Sequence, residues 1–315
     1  MEVSFLKIPT QKGVSQNLRL VRKLNWLLLH LPFRGCGRLR RLIGKILAPP
    51  PSQDVVVPTA LNFWMILQPH FDRAIDEYIY YNGIYEFGTV YVMKNCLKER
   101  DVFIDVGSCT GFLSLCASKF VGEKGLVYAL EPLPPSFSLL QQNIQINNVK
   151  NIFAFNLALG SRAEKAEIYT YPGAKNRGKA SFLLQNPLRN VEKYEVKVET
   201  LDDFVKKHNL KNIKMIKIDV EGFEMEVLEG AQKLLSSPSA PILCVEHCKF
   251  LLKEKSKKLF QFLCEINNYS IFRLKRGKEY PSPLLKVNKI EELPPHDNLF
   301  CFLPSHLESL DLIFQ

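Results

Sequence analysis

Short apolar runs alternate with longer helix-periodic segments through the last two thirds of the chain. Five runs rich in β-branched and aromatic residues are typical of buried strands: 102–106, 126–130, 152–157, 213–219 and 241–246. Apolar residues at helical spacing predict helices over 111–120, 134–147, 223–235 and 251–267. Strands that alternate with helices build a parallel sheet with helices on both faces. The pattern therefore predicts an α/β fold with a doubly wound sheet.

Two later apolar runs, 269–274 and 298–303, are joined only by sequence typical of loops. Because no helix separates them, we expect them to finish the sheet as a strand pair, one strand antiparallel. With the five earlier strands, this gives a mostly parallel seven-stranded sheet. Helical sequence also covers 71–99, with an interruption at 83–86.

The interval 160–212 breaks the alternation of strands and helices. It contains two segments of alternating polarity, 166–171 and 194–198, that are typical of edge strands. Between them lies a Gly- and Lys-rich segment, 172–179, which suits either a surface loop or a mobile lid. We therefore divide the chain into a leader (1–51), a helical cap (52–100) and a sheet domain (101–315) that carries the insertion 160–212.

The leader is strongly basic and is predicted to form two amphipathic helices. The first 50 residues hold ten Lys or Arg and one acid, whereas the other 265 hold 32 basic and 31 acidic residues. Three roles for residues 14–47 remain open: packing on the body or on the second subunit of a homodimer, lying on an anionic membrane surface, or binding nucleic acid. The neutral body offers no basic groove, which disfavours nucleic acid. The apolar positions are Leu18, Val21, Leu24, Leu28 and Leu31, then Leu39, Leu42, Ile43, Ile46 and Leu47.

Composition is that of a globular protein, with 46% hydrophobic and 23% charged residues. No apolar run approaches the ~20 residues that span a bilayer, and no secretory signal pattern is present. Four of the eight cysteines lie in apolar runs, which predicts reduced core thiols. We therefore expect a cytoplasmic protein, peripheral on the inner face of the membrane if the leader binds lipid. The four cysteines are Cys116, Cys244, Cys264 and Cys301.

A strand, a glycine turn and a helix start follow one another over 102–117. Glycines let a ligand approach the backbone, and a helix start offers free N–H groups. The dinucleotide pattern G-x-G-x-x-G is not matched, and an acid before the turn would repel a pyrophosphate. The pattern instead indicates a cationic cofactor without phosphate, such as S-adenosylmethionine. The residues are Asp105, Gly107, Ser108, Cys109 and Gly111.

A second acid supports this interpretation. Glu131, followed by Pro132, ends the next strand, 24 positions after Gly107. An acid at this place can accept hydrogen bonds from both hydroxyls of a ribose. The two acids together therefore indicate a nucleoside cofactor that carries positive charge.

Further motifs follow in a fixed order. They are Gly83-x-Tyr85-Glu86, Asp105-Val106-Gly107-x-x-x-Gly111, Glu131-Pro132 with Asn143, Asn156-Leu157-Ala158-Leu159-Gly160, Thr200-Leu201-Asp202-Asp203, the block from Lys217 to Glu224, Leu228-x-Gly230-Ala231 and Val245-Glu246. In this order they resemble the FkbM family of S-adenosylmethionine-dependent methyltransferases over roughly 83–250. The family usually has Ala-Asn where this chain has Ser108-Cys109. Both are small polar replacements, so we expect cofactor binding to survive.

The resemblance implies a class I methyltransferase sheet and methyl transfer to an oxygen, commonly a hydroxyl of a sugar, a glycolipid or a polyketide-like product. It implies that Glu86 reaches the methionine end of the cofactor and that Leu157 and Ala158 border the adenine. It also includes Asn143, although this residue better suits a role in stabilising the helix after Glu131.

An alcohol is a weak nucleophile at neutral pH, so a base or a metal ion is needed to remove its proton. Asp219 and Glu221 follow the fourth strand, and Glu246 and His247 end the fifth. Ligands bind at these strand ends in open α/β sheets, so we predict that these four residues are catalytic. Glu246 and His247 are neighbours on a strand, so at most one points at the site. The same residues could hold a divalent cation, although we assign no metal ligand.

The sequence thus predicts an O-methyltransferase acting on a sugar, a glycan or a lipid-linked glycan. Two alternatives stay open: a non-glycan small-molecule acceptor, and a silent module that binds the cofactor and serves assembly. Methylation of a nucleic-acid base is disfavoured, because the residues after the fourth strand lack the Pro-Pro-aromatic pattern of those enzymes.

Overall fold

A computed structural model describes residues 14–29, 36–170, 191–248, 253–308 and 310. The described chain divides into two compact units. The first contains the residues up to Tyr85 together with Gln141–Asn148, and the second contains the rest. The division falls within the segment predicted as a helical cap.

The first unit combines three helices with a two-stranded antiparallel sheet. Asn143 and Asn147 secure the sheet by accepting hydrogen bonds from the backbone N–H groups of Ile66 and Trp64, both at 2.7 Å. The elements are α1 (Gln16–Leu29), α2 (Cys36–Leu47), β1 (Val55–Pro58), β2 (Trp64–Leu67) and α3 (Asp76–Asn82).

One arginine of the leader is a structural residue. Arg22 of α1 is buried, and its guanidinium donates to the carbonyl oxygens of Pro58 at 2.7 Å and Tyr80 at 3.0 Å. Burial lowers the pKa of Arg22 to about 10. Arg22 therefore ties α1 to the sheet and to α3, and its charge belongs to the interior of this unit.

Helix α2 is turned in a way that its sequence pattern does not predict. It buries Cys36, Arg40 and Gly44, whereas Leu39, Leu42 and Ile46 are exposed. In α1, Leu18 and Val21 are buried as expected, while Leu24 and Leu28 are only half-buried.

The second unit is built on one eight-stranded sheet with the order β12-β11-β13-β10-β9-β3-β4-β5. Neighbours from β10 to β5 are parallel, and β11, β12 and β13 pair antiparallel. The strands of this unit are β3 (Val102–Val106), β4 (Leu126–Leu130), β5 (Ile152–Phe155), β6 (Ala158–Leu159), β7 (Glu164–Thr170), β8 (Glu192–Glu199), β9 (Ile213–Ile218), β10 (Ile242–Cys248), β11 (Ser270–Leu274), β12 (Leu284–Lys286) and β13 (His296–Phe302).

The predicted fold class is confirmed, and the predicted pair of late strands is formed by β11 and β13. The sheet has one strand more than predicted, because the three residues of β12 add to the edge at β11. Every residue of β3 is buried, as expected for a central strand covered by helices on both faces. The continuous apolar runs of the central strands are thus explained by burial of both sheet faces.

Helices flank the sheet as the alternating pattern predicts. Thr200 caps α7 by accepting a hydrogen bond from the N–H of Asp203 at 3.1 Å. The helices are α4 (Phe87–Cys96), α5 (Phe112–Val121), α6 (Pro134–Ile146, which crosses the division between the units), α7 (Leu201–Lys207), α8 (Glu224–Glu229), α9 (Gln232–Leu235), α10 (Lys253–Glu265) and α11 (Pro304–Leu307), with a 3₁₀ turn at Ile290–Glu292.

The insertion contributes a separate three-stranded sheet in the order β6-β8-β7, with β7 and β8 antiparallel. Strands are therefore confirmed where 166–171 and 194–198 predicted them, although β8 is the central strand of this sheet and only β7 lies at an edge. The segment 172–179, for which a surface loop and a lid were the alternatives, lies outside the described residues.

All eight cysteines are free, in agreement with the expected reduced thiols. Cys264 is exposed on α10 and is the exception to the predicted core location. None of the described helices combines the length and the apolar character needed to cross a bilayer.

Candidate active site

The ends of β3 and β9 meet at unusually short range. Gly107 follows β3 with a φ of 81°, and a Cβ atom at this position would lie 1.9 Å from the carbonyl oxygen of Asp219. The N–H of Asp219 in turn donates to the carbonyl of Val106 at 3.0 Å. Only glycine fits here, and the glycine turn and Asp219 are held side by side.

The turn itself is fixed by the neighbouring strand. The N–H groups of Gly107 and Ser108 both donate to the carbonyl of Leu130, at 2.9 and 3.0 Å. Cys109 has a φ of 50°, in the left-handed region that non-glycine residues rarely occupy, and Gly111 opens α5 with a φ of 88°. Such strained conformations are frequent at ligand sites.

Asp105 lies buried beneath this turn. Its carboxylate accepts a hydrogen bond from the hydroxyl of Ser114 at 2.5 Å. Burial raises the pKa of Asp105, although the charge of Lys217 opposes the shift. Asp105 thus connects β3 to α5 through Ser114, on either side of the turn, and is also a source of negative charge.

Glu131 accepts hydrogen bonds on both carboxylate oxygens. The N–H of Cys109 donates to Oε2 at 2.8 Å, and the N–H of Leu133 donates to Oε1 at 2.9 Å. These bonds aim the carboxylate at the glycine turn. Each carboxylate oxygen has more than one lone pair, so an oxygen of this kind can accept from more than one donor.

The segment after β5 borders Glu131. The Asn156 side chain donates to the carbonyl oxygens of Glu131 and Pro132, both at 2.9 Å. Leu157 and Ala158 are buried directly after it. The two residues predicted to border an adenine are therefore adjacent in sequence to the amide that holds Glu131 and Pro132.

Lys278 joins two of the predicted site residues. Its ammonium contacts Oε1 of Glu86 at 2.8 Å and Oε1 of Glu246 at 2.7 Å. The other oxygen of Glu86 accepts from the Asn298 amide at 2.8 Å, and Asn298 also donates to Thr89 at 2.8 Å. Glu86 itself has a φ of 45° and is fully buried, so the start of α4 is tied to β13 through charge-assisted hydrogen bonds.

His296 is paired with Glu246. Nε2 of His296 lies 2.9 Å from Oε1 of Glu246, and half of the His296 side chain is exposed. This hydrogen bond raises the pKa of His296. Burial favours the neutral form of Glu246, but His296 and the charges of Lys278 and Lys217 outweigh it and hold the pKa of Glu246 below its usual range. The half-exposed imidazole of His296 is thus hydrogen-bonded to the buried carboxylate of Glu246.

A fully buried lysine neutralises Asp219. Lys217 Nζ donates to Oδ2 of Asp219 at 2.7 Å. Burial and the nearby charge of Glu246 raise the pKa of Asp219 to about 6 even though Lys217 opposes this shift. At neutral pH the two side chains form an ion pair, while the backbone of Asp219 contacts the glycine turn.

Two further carboxyls follow on the loop into α8. Glu221 has a φ of 52°, and burial together with Asp219 and Glu246 raises its pKa to about 9. Glu224 accepts from the N–H groups of Val220 and Gly222, and burial raises its pKa to about 7. Glu224 and Glu226 lie in the first turn of α8.

The site carries an excess of acidic groups. Mutual electrostatic effects connect six carboxyls with two lysines. Burial raises the pKa of Glu221 most, and the negative charges of Asp219 and Glu246 raise it further. The arrangement favours a cationic ligand and disfavours a phosphate. The groups are Glu86, Asp105, Asp219, Glu221, Glu224 and Glu246, with Lys217 and Lys278.

Three of these acids could also hold a metal ion. The carboxylate oxygens of Asp219, Glu221 and Glu246 lie within 4.8 Å of one another. A divalent cation there would compete with Lys278 and His296, which already contact Glu246.

Two predicted site residues lie elsewhere. His247 is buried beside Glu246, and its Nε2 lies 3.0 Å from the Ser256 hydroxyl of α10. Asn143 belongs to the first unit and accepts from the N–H of Ile66. Of the predicted catalytic set, the structure groups Asp219, Glu221 and Glu246.

Sequence reasoning did not find Lys278, His296 or Asn298. Lys278 lies on a loop after β11, and His296 and Asn298 are at the start of β13. No motif marks them. The sequence holds one indirect indication of His296 and Asn298. The run 298–303 is predicted to pair within the sheet, and antiparallel pairing brings the start of β13 beside the end of β10.

Comparison with known proteins gives the family. The model of the Methyltransferase FkbM domain matches residues 105–271, which is more than half of the chain. The chain belongs to the FkbM methyltransferase family. The matched range includes the glycine turn, Glu131, Asp219 and Glu246, whereas Glu86, Lys278 and His296 lie outside it.

Curated relatives match over shorter stretches. Methyltransferase 1 of Beauveria bassiana is 30% identical over 147 residues, which cover 42% of this chain and 59% of the relative. The probable cobalt-precorrin-6B C(15)-methyltransferase (decarboxylating) of Sulfolobus acidocaldarius is 44% identical over 50 residues, or 16% of this chain and 26% of the relative. The chain thus spans less than two thirds of either relative.

Among solved structures, Methyltransferase FkbM from Methylobacillus flagellatus aligns with a TM-score of 0.44 and 14% identity, covering 91% of this chain and 60% of that one. Precorrin-6y C5,15-methyltransferase from Geobacter metallireducens aligns with a TM-score of 0.39 and 16% identity, covering 69% and 88%. These structural likenesses are distant, and the fold class follows from the strand order of the eight-stranded sheet.

Proposed function

We propose that the protein transfers the methyl group of S-adenosylmethionine to a hydroxyl oxygen. The observation that carries this proposal is the acid-rich site around a glycine turn that only glycine can form, with Glu131 held at the end of the next strand. Membership of the FkbM family supports the same reaction class. A cofactor with a sulfonium and an ammonium group matches the charge of this site.

The residues present fit the cofactor. Glu131 is the proposed acceptor for the two ribose hydroxyls, and Leu157 and Ala158 are the proposed apolar border of the adenine. Asp105 and Glu86 supply negative charge for the methionine end. When bound, the cofactor supplies a methyl group on a positively charged sulfur, which is electrophilic without further activation.

His296 is the proposed base. Its imidazole is half exposed, and Glu246 holds one ring nitrogen, so that the other can face an acceptor. The acceptor hydroxyl gives its proton to His296 as its oxygen forms the new bond to the methyl carbon and the carbon–sulfur bond breaks. Glu246 stabilises the imidazolium that results. Asp219, held by Lys217, is proposed to orient the acceptor beside the glycine turn.

The proposed acceptor is a hydroxyl of a sugar, a glycan or a lipid-linked glycan. The resemblance of the motifs to the FkbM family is the support for this class. The half-exposed position of His296 is compatible with an acceptor too large to be enclosed.

Methyl transfer from isotopically labelled cofactor onto fractionated glycans and lipids tests the proposal. We expect labelled product in a carbohydrate-containing fraction, and an alkali-stable ether rather than an ester. Asp219→Asn is expected to lower turnover far more than cofactor affinity. Equal losses of turnover and affinity would place Asp219 in cofactor binding.

Two outcomes would contradict parts of the proposal. If labelled product is found only in fractions without carbohydrate, the acceptor is a small molecule other than a sugar or glycan. Cofactor binding without transfer to any fraction would favour the silent binding module.

A further inference from the structure

Exposed apolar side chains are concentrated in the first unit. Of the ten large hydrophobic side chains that are exposed among the described residues, nine belong to this unit. Five of them lie on α1 and α2: Leu20, Leu27, Leu39, Leu42 and Ile46. Such a concentration of apolar surface marks an interaction site.

Contacts with α3 fix which side of α2 faces outward. A Cβ atom at Gly44 would lie 2.6 Å from the ring of Tyr81, so this side of α2 packs directly on α3. Arg40 donates to the Tyr78 hydroxyl at 3.0 Å, and Arg41 pairs with Glu77 at 2.6 Å. The side of α2 that carries Arg40 and Gly44 is therefore buried against α3.

The opposite side is the α2 outer face, formed by Leu39, Leu42 and Ile46. These residues recur at the i, i+3, i+7 spacing of one helix face and are 38%, 55% and 69% exposed. Arg38 and Lys45 are exposed beside them. Neither forms an ion pair with another residue in the described ranges. The face is an apolar strip with cations along its edge.

Charge complementarity identifies the occupant. Residues 14–47 contain eight basic and no acidic side chains. Of these, Lys23, Arg38 and Lys45 are exposed, whereas Arg22 and Arg40 are buried and Arg41 pairs with Glu77. An apolar helix face bordered by Lys and Arg matches the boundary between acyl chains and anionic headgroups. A protein groove would need matching acids, whereas an anionic leaflet supplies negative charge along the whole face.

We propose that the α2 outer face, supported by Leu20 and Leu27 of α1, docks the protein on an anionic lipid surface. The apolar side chains enter the headgroup region, and Arg38 and Lys45 contact lipid phosphates. The inference is independent of the proposed methyl transfer, because none of these residues belongs to the candidate active site.

Sedimentation of the full-length protein with vesicles tests the inference. Binding is expected to vesicles of phosphatidylcholine with 30 mol % phosphatidylglycerol, and to be much weaker with phosphatidylcholine alone. Arg38→Gln with Lys45→Gln is expected to lower the partition coefficient about thirtyfold, from the usual contribution of two basic residues. Leu42→Ser with Ile46→Ser should abolish measurable binding.

Matched variants on the second unit serve as controls. Lys257→Gln with Lys258→Gln removes two exposed cations from α10, and Phe153→Ser removes the exposed apolar side chain of that unit. All variants are first compared by thermal unfolding, so that a loss of vesicle binding is not a loss of fold.

The inference is overturned if no vesicle binds, if neutral and anionic vesicles bind equally, or if the control variants lose as much binding as those of α2. It is also overturned if light scattering shows a dimer that Leu42→Ser with Ile46→Ser converts to monomers, since a second copy would then cover the face. Binding of a duplex oligonucleotide in place of vesicles would likewise contradict it.

Discussion

Gly107 and Asp219 are in such close contact that a methyl group on Gly107 would lie 1.9 Å from the Asp219 carbonyl oxygen. This contact joins the proposed cofactor turn on β3 to the proposed acceptor side on β9. Because the oxygen belongs to the backbone, a rotation of a side chain cannot relieve a clash.

Gly107→Ala is therefore expected to destabilise the protein by about 2 kcal/mol or more, since a positive φ and a backbone clash act together. Cofactor binding should be lost in the same variant. Chemical denaturation measures the first effect. Gly37→Ala, where an added Cβ meets no atom within 4 Å, is the control and should change stability little. A fully stable Gly107→Ala protein would contradict the described turn.

Glu131→Gln tests the ribose contact. The variant keeps the size of the side chain but removes the charge that strengthens hydrogen bonds from ribose hydroxyls. Affinity for S-adenosylmethionine is expected to fall about tenfold to a hundredfold. Isothermal titration calorimetry measures it, with Glu123→Gln on the exposed loop after α5 as the control. Unchanged affinity would remove Glu131 from the binding site.

Lys278→Gln tests the link between Glu86 and Glu246. Without the ammonium, the negative charges of Glu86 and Glu246 stay buried without their shared positive partner. The loss of one member of a buried ion pair commonly lowers the free energy of unfolding by about 3 kcal/mol or more. We expect lower stability at neutral pH, partly recovered on acidification because protonation of the acids relieves their repulsion. The control is Lys286→Gln on the exposed side of β12. Equal unfolding midpoints for both variants at pH 7 would contradict this role.

Much of the fold could be predicted from the sequence, because burial of both sheet faces leaves clear apolar runs at strands such as β3 and β4. The α/β class and the strand pair β11–β13 followed from these runs. The strand β12 was missed because only three residues extend the edge of the sheet.

The site could be predicted only where motifs mark it. Asp105, Glu131 and Asp219 end strands that the pattern locates, so their proximity follows from topology. Lys278 comes from a loop, and its approach to Glu86 depends on the packing of that loop on α4 through the carbonyl of Lys278. The orientation of α2 could not be predicted from its apolar pattern either. Gly44 packs on the ring of Tyr81 and Arg40 donates to the Tyr78 hydroxyl, and these contacts turn the apolar residues outward.

The pH dependence of turnover tests the base. The pKa of His296 is raised from 6.5 by its hydrogen bond to Glu246, and a base acts only in its unprotonated form. Turnover should therefore rise with pH, with its inflection above 6.5, and flatten once His296 is neutral. His296→Gln should lower the rate by about a hundredfold or more and remove this inflection. His70→Gln is the control, and an unchanged profile in the His296 variant would assign the proton to another group.

Titration of the intact protein with S-adenosylmethionine tests the central claim most directly. We expect binding in the micromolar range or tighter, with release of protons at pH 7 because a cationic ligand favours the ionised form of Glu221, whose pKa is raised to about 9. NAD should not bind, since the acids around the glycine turn repel its pyrophosphate. Absence of heat and of thermal stabilisation with S-adenosylmethionine, or stronger binding of NAD, would contradict the account.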